Sequence, residues 1–376
     1  MKTRAAVIYE LGKASPYATS RPFVIEDITL DAPGPGEVLV ELVSAGLCHS
    51  DLSVIDGSRP RPMPMVLGHE AAGIVREVGP GVSQLRPDDH VIFSFVPMCG
   101  HCVPCATGRP ALCEPGARAN LSGLLLSGAQ RITSQAGQPV YHHLGVSAFA
   151  QHTIAAQESL IKIDASFPLE RAALFGCAAI TGVGAVLNTA RVEAGMAVAV
   201  WGMGGVGLSV IMGAKLAGAA PIIAIDVLAT KLELARELGA SYTIDASKSD
   251  AIEAVRDLTD GGAHYTFEAV GNEQALEQAF RATRRGGTTI TVGLPGPTRM
   301  LSVPAVLITA EERSIKGSFM GSAVPQRDIP RLLNLHSAGL LPIEKLHTHT
   351  IALEQINVGF DALASGSAVR QIIAFS

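Results

Sequence analysis

Basic residues are not in excess in this sequence: 29 Lys and Arg stand against 34 Asp and Glu, for a formal charge of −5 at pH 7. Such a mild acidic balance leaves no electrostatic footprint for nucleic acid or for an anionic membrane surface. A secretory signature is missing too. The first apolar run, residues 5–9, is short and is closed by Glu10, with no small-residue cleavage site behind it. One uncharged stretch, 195–214, could pass for a membrane span, but it packs Gly202, Gly204, Gly205 and Gly207 into six residues. That composition serves a membrane helix poorly and a strand–turn–helix well. Internal repeats and low-complexity segments are absent. Charged residues are only 17% of the chain against 48% hydrophobic, so 376 residues hold enough apolar side chain for two cores and disorder is excluded. Cysteine is scarce: there are six, which suits a reducing compartment, read here as cytoplasmic, where thiols bind metal and do not pair.

All six cysteines can be assigned to metal. Cys99, Cys102, Cys105 and Cys113 form a C-x2-C-x2-C-x7-C run. A disulfide scaffold or a redox pair are the alternatives, but two overlapping C-x2-C units with a further cysteine match a closed four-thiolate zinc lobe better. Four thiolates leave zinc a formal −2, so this first ion is structural. Cys48 and Cys177 lie far apart with His69-Glu70 between them. Singly, Cys177 is better explained as a buried core thiol and His69 as a satisfied core histidine. Together, two thiolates and an imidazole make a neutral second zinc site with an open position, on which an alcohol could ionise. Glu70 is close enough in sequence to be an alternate ligand or to tune the site.

Residues 198–201 run directly into Gly202-Met203-Gly204-Gly205-Val206-Gly207, a G-x-G-x-x-G between a strand and a helix. The first glycine makes the turn, the second admits a pyrophosphate, and the third lets helix and strand pack closely. The phosphate then meets the helix N-terminus. A glycine turn used only for packing is the alternative. Asp226, 19 residues after Gly207, argues against it: an acid there accepts from the adenosine ribose and repels a 2′-phosphate, favouring NAD over NADP.

The first part of the chain reads as short strands with turns between them, at 5–9, 37–44, 73–78 and 90–95, which implies an irregular β-barrel. The stretch 113–141 reads as a long surface loop. From about 175 to 319 strands alternate with helices, which implies an α/β, doubly wound parallel sheet. The tail reads as a helix at 330–338 and a strand at 370–375, returning to the first domain.

Gly46-Leu47-Cys48-His49-Ser50-Asp51, Leu67-Gly68-His69-Glu70-Ala71-Ala72-Gly73, the four-cysteine run, Phe175-Gly176-Cys177 with Thr181-Gly182, the glycine turn, and Asp226 with Lys231 occur in this order. Over essentially its full length the chain resembles the medium-chain, zinc-dependent alcohol dehydrogenases. The long stretch after Cys113 is similar to that of the liver-type and glutathione-dependent formaldehyde dehydrogenase branches. The resemblance implies a GroES-like catalytic domain at 1–178 with a zinc lobe at 95–115, a Rossmann NAD domain at 179–320, and a return to the catalytic domain at 321–376. It implies catalytic zinc on Cys48, His69 and Cys177, Asp51 on the outer nitrogen of His69, and Ser50 taking the substrate proton. It places His49 and Arg370 near the pyrophosphate, Lys231 beside Asp226 on the ribose, and Thr181 on the nicotinamide. Phe95, His143, Leu294 and Phe319 would line a substrate channel; His143, Leu294 and Phe319 could equally be core, whereas Phe95 lies four residues before Cys99, as in the family. The activity implied is NAD-dependent interconversion of medium-chain or aromatic primary alcohols and aldehydes by hydride transfer, with two zinc ions per chain. A homodimer paired near 301–319 is also implied, although that apolar segment could equally be an ordinary buried strand.

Two departures stand out. Ser53 replaces the histidine that ends the family's proton relay, so either His49 takes that role or the proton leaves by water. Arg59 stands where the glutathione-dependent branch carries an acid, while Arg118 lies in the neighbourhood where that branch has an arginine. A thiol-adduct formaldehyde dehydrogenase of the S-hydroxymethylglutathione type is therefore the rival reading, and a non-catalytic cofactor-binding protein the remote one.

Overall fold

In the computed structural model, which describes residues 1–375, the chain divides into two compact units. The first comprises Met1–Cys177, Val324–Pro330 and residues 347–375; the second comprises Ala178–Ala323 and Arg331–Leu346. Residues 331–346, expected with the returning tail, thus group with the second unit. Among the described residues no single helix is long and apolar enough to cross a membrane.

The first unit carries two sheets. Strands β1 (Lys2–Ile8), β2 (Phe23–Leu30), β3 (Glu37–Gly46), β4 (Met65–Val66), β5 (Glu70–Val78) and β6 (His90–Phe93) are followed by β7 (Ile132–Thr133), β8 (Pro139–His142), β9 (His152–Ala156) and β10 (Leu160–Ile163). A closed barrel runs β1-β2-β7-β8-β4. Its interior is filled by Ala5, Val7, Ile28, Leu30, Val66 and Val140. These positions alternate along β1 and β2, as one inward-facing row of a strand must.

The second unit contributes one parallel sheet of six strands: β11 (Val198–Trp201), β12 (Ile222–Asp226), β13 (Tyr242–Asp245), β14 (Ala263–Glu268), β15 (Thr283–Thr291) and β16 (Ser314–Gly317). The order is β13-β12-β11-β14-β15-β16. It reverses between β11 and β14, the doubly wound arrangement that opens a ligand crevice at the carboxyl ends of these two strands. All of β11 is buried, which is why it reads as a continuous apolar run. Ala199 and Trp201 pack with Ala251, Val255, Ala275 and Ala279 of two helices, Ala251–Leu258 and Glu273–Ala282.

Back in the first unit, the last strands β17 (His347–Ile351) and β18 (Arg370–Ala374) extend the second sheet, which runs β10-β6-β5-β3-β18-β17 with β9 also on β3. Register here positions chemistry. Gly46 of β3 lies opposite Glu70 of β5 and also opposite Ile372 of β18. The residues just past or before these pairs, Leu47-Cys48, His69 and Arg370, are therefore gathered at one end of the sheet.

The stretch 113–141 is not a plain loop, and this corrects the expectation. It holds a helix, Glu114–Ser122, and the short strands β7 and β8. The Cys113 sulfur caps the helix by accepting from the Gly116 N–H, and Gly123 closes it in the left-handed conformation. The strands are too short to carry a period and exist because β2 and β4 pair with them.

Candidate active site and metal centres

Cys48 sits at the start of the helix His49–Ile55, just beyond β3. His69 precedes β5, and Cys177 follows a short helical turn, Ala173–Phe175. One donor atom from each of Cys48, His69, Glu70 and Cys177 lies within 4.8 Å of every other, and all four residues are buried. The Cys177 sulfur is 3.6 Å from His69 Nε2. Two ligands at roughly 2.3 and 2.1 Å on one tetrahedral zinc would stand about 3.6 Å apart.

The imidazole is held for that task. Asp51 Oδ1 accepts from His69 Nδ1 at 3.1 Å and from the Gly68 N–H at 3.1 Å. A carboxylate only accepts, so Nδ1 carries a proton and Nε2 is the nitrogen that faces the sulfurs. His143 Nδ1 lies 3.2 Å from the same Oδ1, without the alignment of a hydrogen bond. Glu70 is latched in turn: Arg370 Nη1 donates to Glu70 Oε1 and to the Leu47 carbonyl, each at 3.1 Å. Glu70 Oε2 is buried with no hydrogen-bond partner. An orphaned carboxylate oxygen beside two sulfurs and an imidazole fits a cation.

Proton affinities agree. Cys48 is drawn well below an ordinary thiol because Cys177 donates to it, against its burial and helped by Arg370 and His69; Cys177 is pushed well above. Burial opposes protonation of His69, yet Asp51 and Cys48 hold it well above an ordinary histidine. Burial pushes Glu70 up to about 8, against the pull of Arg370. A divalent ion among these donors would displace the protons they retain.

Cys99, Cys102, Cys105 and Cys113 also lie within 4.8 Å of one another, with Cys102 and Cys113 sulfurs 4.0 Å apart. Backbone N–H groups of Cys99 and Gly116 donate to the Cys113 sulfur at 3.3 and 3.4 Å, and that of Cys102 to Cys99 at 3.4 Å. Such donors stabilise sulfur carrying negative charge, so the lobe fits a closed thiolate site.

In the second unit the glycine turn follows β11 and opens the helix Gly205–Leu216. The helix has no side-chain cap and no acid in its first turn, which leaves its N–H groups to an anion. A Cβ on Gly207 would stand 1.7 Å from the Gly202 carbonyl oxygen, whereas one on Gly204 would meet nothing within 4 Å. The third glycine therefore serves packing, and the second faces open space. Asp226 accepts from the Met203, Val227 and Leu228 N–H groups at 2.6, 2.7 and 3.0 Å, tying the turn to the end of β12. Sequence reasoning missed this latch, having read Asp226 only as a ribose acceptor.

The family of the alcohol dehydrogenase GroES-like domain matches residues 34–165, and that of the zinc-binding dehydrogenases matches 205–338. The chain is 40% identical over 377 residues to a Mycobacterium tuberculosis protein provisionally named alcohol dehydrogenase D, covering 99% of this chain and 100% of that one. The chain belongs to the zinc-binding alcohol dehydrogenase family. Among solved structures, an alcohol dehydrogenase zinc-binding domain protein from Burkholderia ambifaria superposes with a TM-score of 0.94 at 37% identity, covering 100% of this chain and 99% of that one. Benzyl alcohol dehydrogenase from Acinetobacter calcoaceticus gives 0.93 at 32% identity, with 100% of both chains covered.

Other residues of this alcohol dehydrogenase-family chain are placed as follows. Phe95 is buried with its ring edge-on to His69, centroids 5.6 Å apart. His143 is also buried, against Asp51. Ser50 is half-buried and His49 exposed in the first turn of the helix that starts at Cys48; Ser53 Oγ donates to the His49 carbonyl at 3.0 Å. Arg370, expected at the pyrophosphate, is buried on Glu70 and Leu47, a partnership that no local signal announces. In the second unit Thr181 is buried, Lys231 half-buried, and Leu294 and Phe319 are exposed. Arg118 is exposed on the helix Glu114–Ser122.

Proposed function

We propose that the chain is an NAD- and zinc-dependent dehydrogenase that interconverts a primary aromatic or medium-chain alcohol and its aldehyde. The observation that carries the reading is the buried Cys48, His69, Cys177 donor set, with its imidazole oriented by Asp51. Zinc held there supplies Lewis acidity toward an alcohol or carbonyl oxygen, and NAD held on the glycine turn supplies the hydride exchange. The chain's own residues do the rest. Asp51 fixes the tautomer of His69, and Arg370 holds Glu70 beside the donors while it compensates their negative charge. Ser50 Oγ takes the substrate's hydroxyl proton, and the exposed His49 or water carries it out. Thr181 meets the nicotinamide, and Asp226 with Lys231 meets the ribose; an acid at that position favours NAD over NADP. The four-cysteine lobe holds a second, structural zinc.

The aromatic preference is supported by Phe95 beside His69 and by the likeness to the Acinetobacter benzyl alcohol dehydrogenase. A homodimer is supported by β16 at the open edge of the parallel sheet and by the helix Ala305–Ala310, which has no buried residue and exposes Val306 and Ile308.

The test is NAD reduction by one zinc-loaded preparation on benzyl alcohol and on formaldehyde premixed with glutathione. A higher kcat/KM on benzyl alcohol is expected; a clear preference for the adduct would move the enzyme to the thiol-dependent reading. Cys48→Ala should abolish turnover while NAD still binds, and retained turnover would sink the proposal.

A further inference from the structure

The segment 56–64 joins the helix that begins at Cys48 to β4, which leads on to His69. It is tied down at both ends. The Arg59 N–H donates to the Ser53 carbonyl at 2.7 Å, and the Ser58 hydroxyl donates to the same carbonyl at 3.2 Å. At the far end the Pro64 carbonyl accepts from the Tyr141 N–H at 2.8 Å, two residues before His143.

Arg61 lies in this segment, half-buried. Its Nε is buried and makes no hydrogen bond, and its guanidinium joins none of the ion pairs among the described residues. Arg59 is its like-charged neighbour, and burial weakens the proton affinity of both, with Arg61 adding to the effect on Arg59. The positive charge of Arg61 is also felt at His143, whose ring sits on Asp51. Asp51 is already engaged by His69 and Gly68, and Asp56 accepts from the Ser58 N–H at 2.8 Å. A partly desolvated cation beside another cation is costly unless an anion joins it. The planar fork of a guanidinium suits a carboxylate.

We propose that Arg61 anchors a carboxylate on the substrate, so that the preferred alcohol or aldehyde is an organic anion and not a neutral one. The inference rests on the dehydrogenase reading above and narrows its substrate class. Two sources share this chemistry: a carboxylate on the alcohol itself, or one carried by a thiol adduct.

The experiment compares kcat/KM of the zinc-loaded full chain, with NAD, for benzyl alcohol, 4-(hydroxymethyl)benzoate and S-hydroxymethylglutathione, in wild type and R61Q. Calorimetric binding of benzoate and of benzamide is measured on the same proteins. Wild type should prefer at least one carboxylate substrate to benzyl alcohol by tenfold or more. R61Q should lose about ten- to hundredfold on that substrate and stay within twofold on benzyl alcohol, which also reports that it folds. Which carboxylate responds identifies the source: preference for 4-(hydroxymethyl)benzoate keeps both the anchor and the aromatic-alcohol reading, whereas preference for the adduct alone keeps the anchor and moves the enzyme to the thiol-dependent reading. Benzoate should bind wild type at least tenfold more tightly than benzamide, and R61Q should erase the difference. Equal losses on neutral and anionic substrates, or benzoate binding no better than benzamide, would overturn the proposal. If no alcohol is oxidised at all, the dehydrogenase reading fails, and the benzoate–benzamide comparison still decides the anchor.

Discussion

Consider Gly204 and Gly207 replaced separately by alanine. At Gly207 the new methyl would stand 1.7 Å from the Gly202 oxygen and 2.9 Å from its carbon. A carbon–oxygen contact ordinarily keeps about 3.3 Å, so the helix or the turn must move by roughly 1.5 Å. The turn is not free to yield: the Gly202 N–H donates to the Ile225 carbonyl at 2.8 Å, and the Met203 N–H donates to Asp226 at 2.6 Å. Overpacking of this kind costs about 1–3 kcal/mol. At Gly204 the backbone is ordinary for any residue, φ −78° and ψ −175°, and the methyl meets nothing. Replacing glycine by alanine at a helix cap costs about 0.5–1 kcal/mol, and restricting the unfolded chain returns about 0.4–1 kcal/mol, so stability should change by less than about 0.5 kcal/mol. The same methyl occupies the space over the helix N-terminus where a pyrophosphate would lie, and NAD affinity should fall about tenfold or more, ~1.4 kcal/mol. Denaturant unfolding and calorimetric NAD titration on both variants separate the two effects. G204A binding NAD like wild type would refute the phosphate cradle. G207A as stable as wild type would refute the steric argument.

Three further outcomes are expected. Cys99→Ser should lower the zinc content by about one ion per chain and leave the Cys48, His69, Cys177 site loaded, by elemental analysis; an unchanged content would remove the lobe from the metal assignment. Asp51→Asn should weaken metal at that site about 10–100-fold in chelator competition, because His69 loses the partner that fixes its tautomer; an unchanged affinity would show the orientation to be idle. His142 is fully buried, and burial lowers its pKa from 6.5 to about 4. Its folded pKa lies below its unfolded one, so the stabilisation is complete above about pH 6.5 and is lost as pH falls toward 4, amounting to about 3 kcal/mol. The difference in unfolding free energy between wild type and His142→Gln should shrink by that amount from pH 7 to pH 4; a constant difference would mean that the histidine takes up its proton inside the fold.

What could be read from the chain alone was whatever local chemistry specifies. Four cysteines within fifteen residues have few competing explanations, and the helices Ala229–Leu238 and Ala251–Leu258 fall where the strand–helix alternation places them. The parallel sheet announced itself because a strand covered on both faces must be apolar throughout. Partnership across long separations was not legible. β7 has two residues, and one of its two partners is β2, about a hundred positions earlier. Arg370 meets Glu70 only because β18 and β5 both align on Gly46 of β3. His143 turned out to stand against Asp51, and Arg61 to be partly buried with its Nε unbonded and in no ion pair among the described residues. Residue type and spacing determine which groups can bind a metal or a phosphate, because those requirements are short-ranged. Which charges lie buried, and whether each is compensated, is decided only when strand register brings distant side chains out of water together.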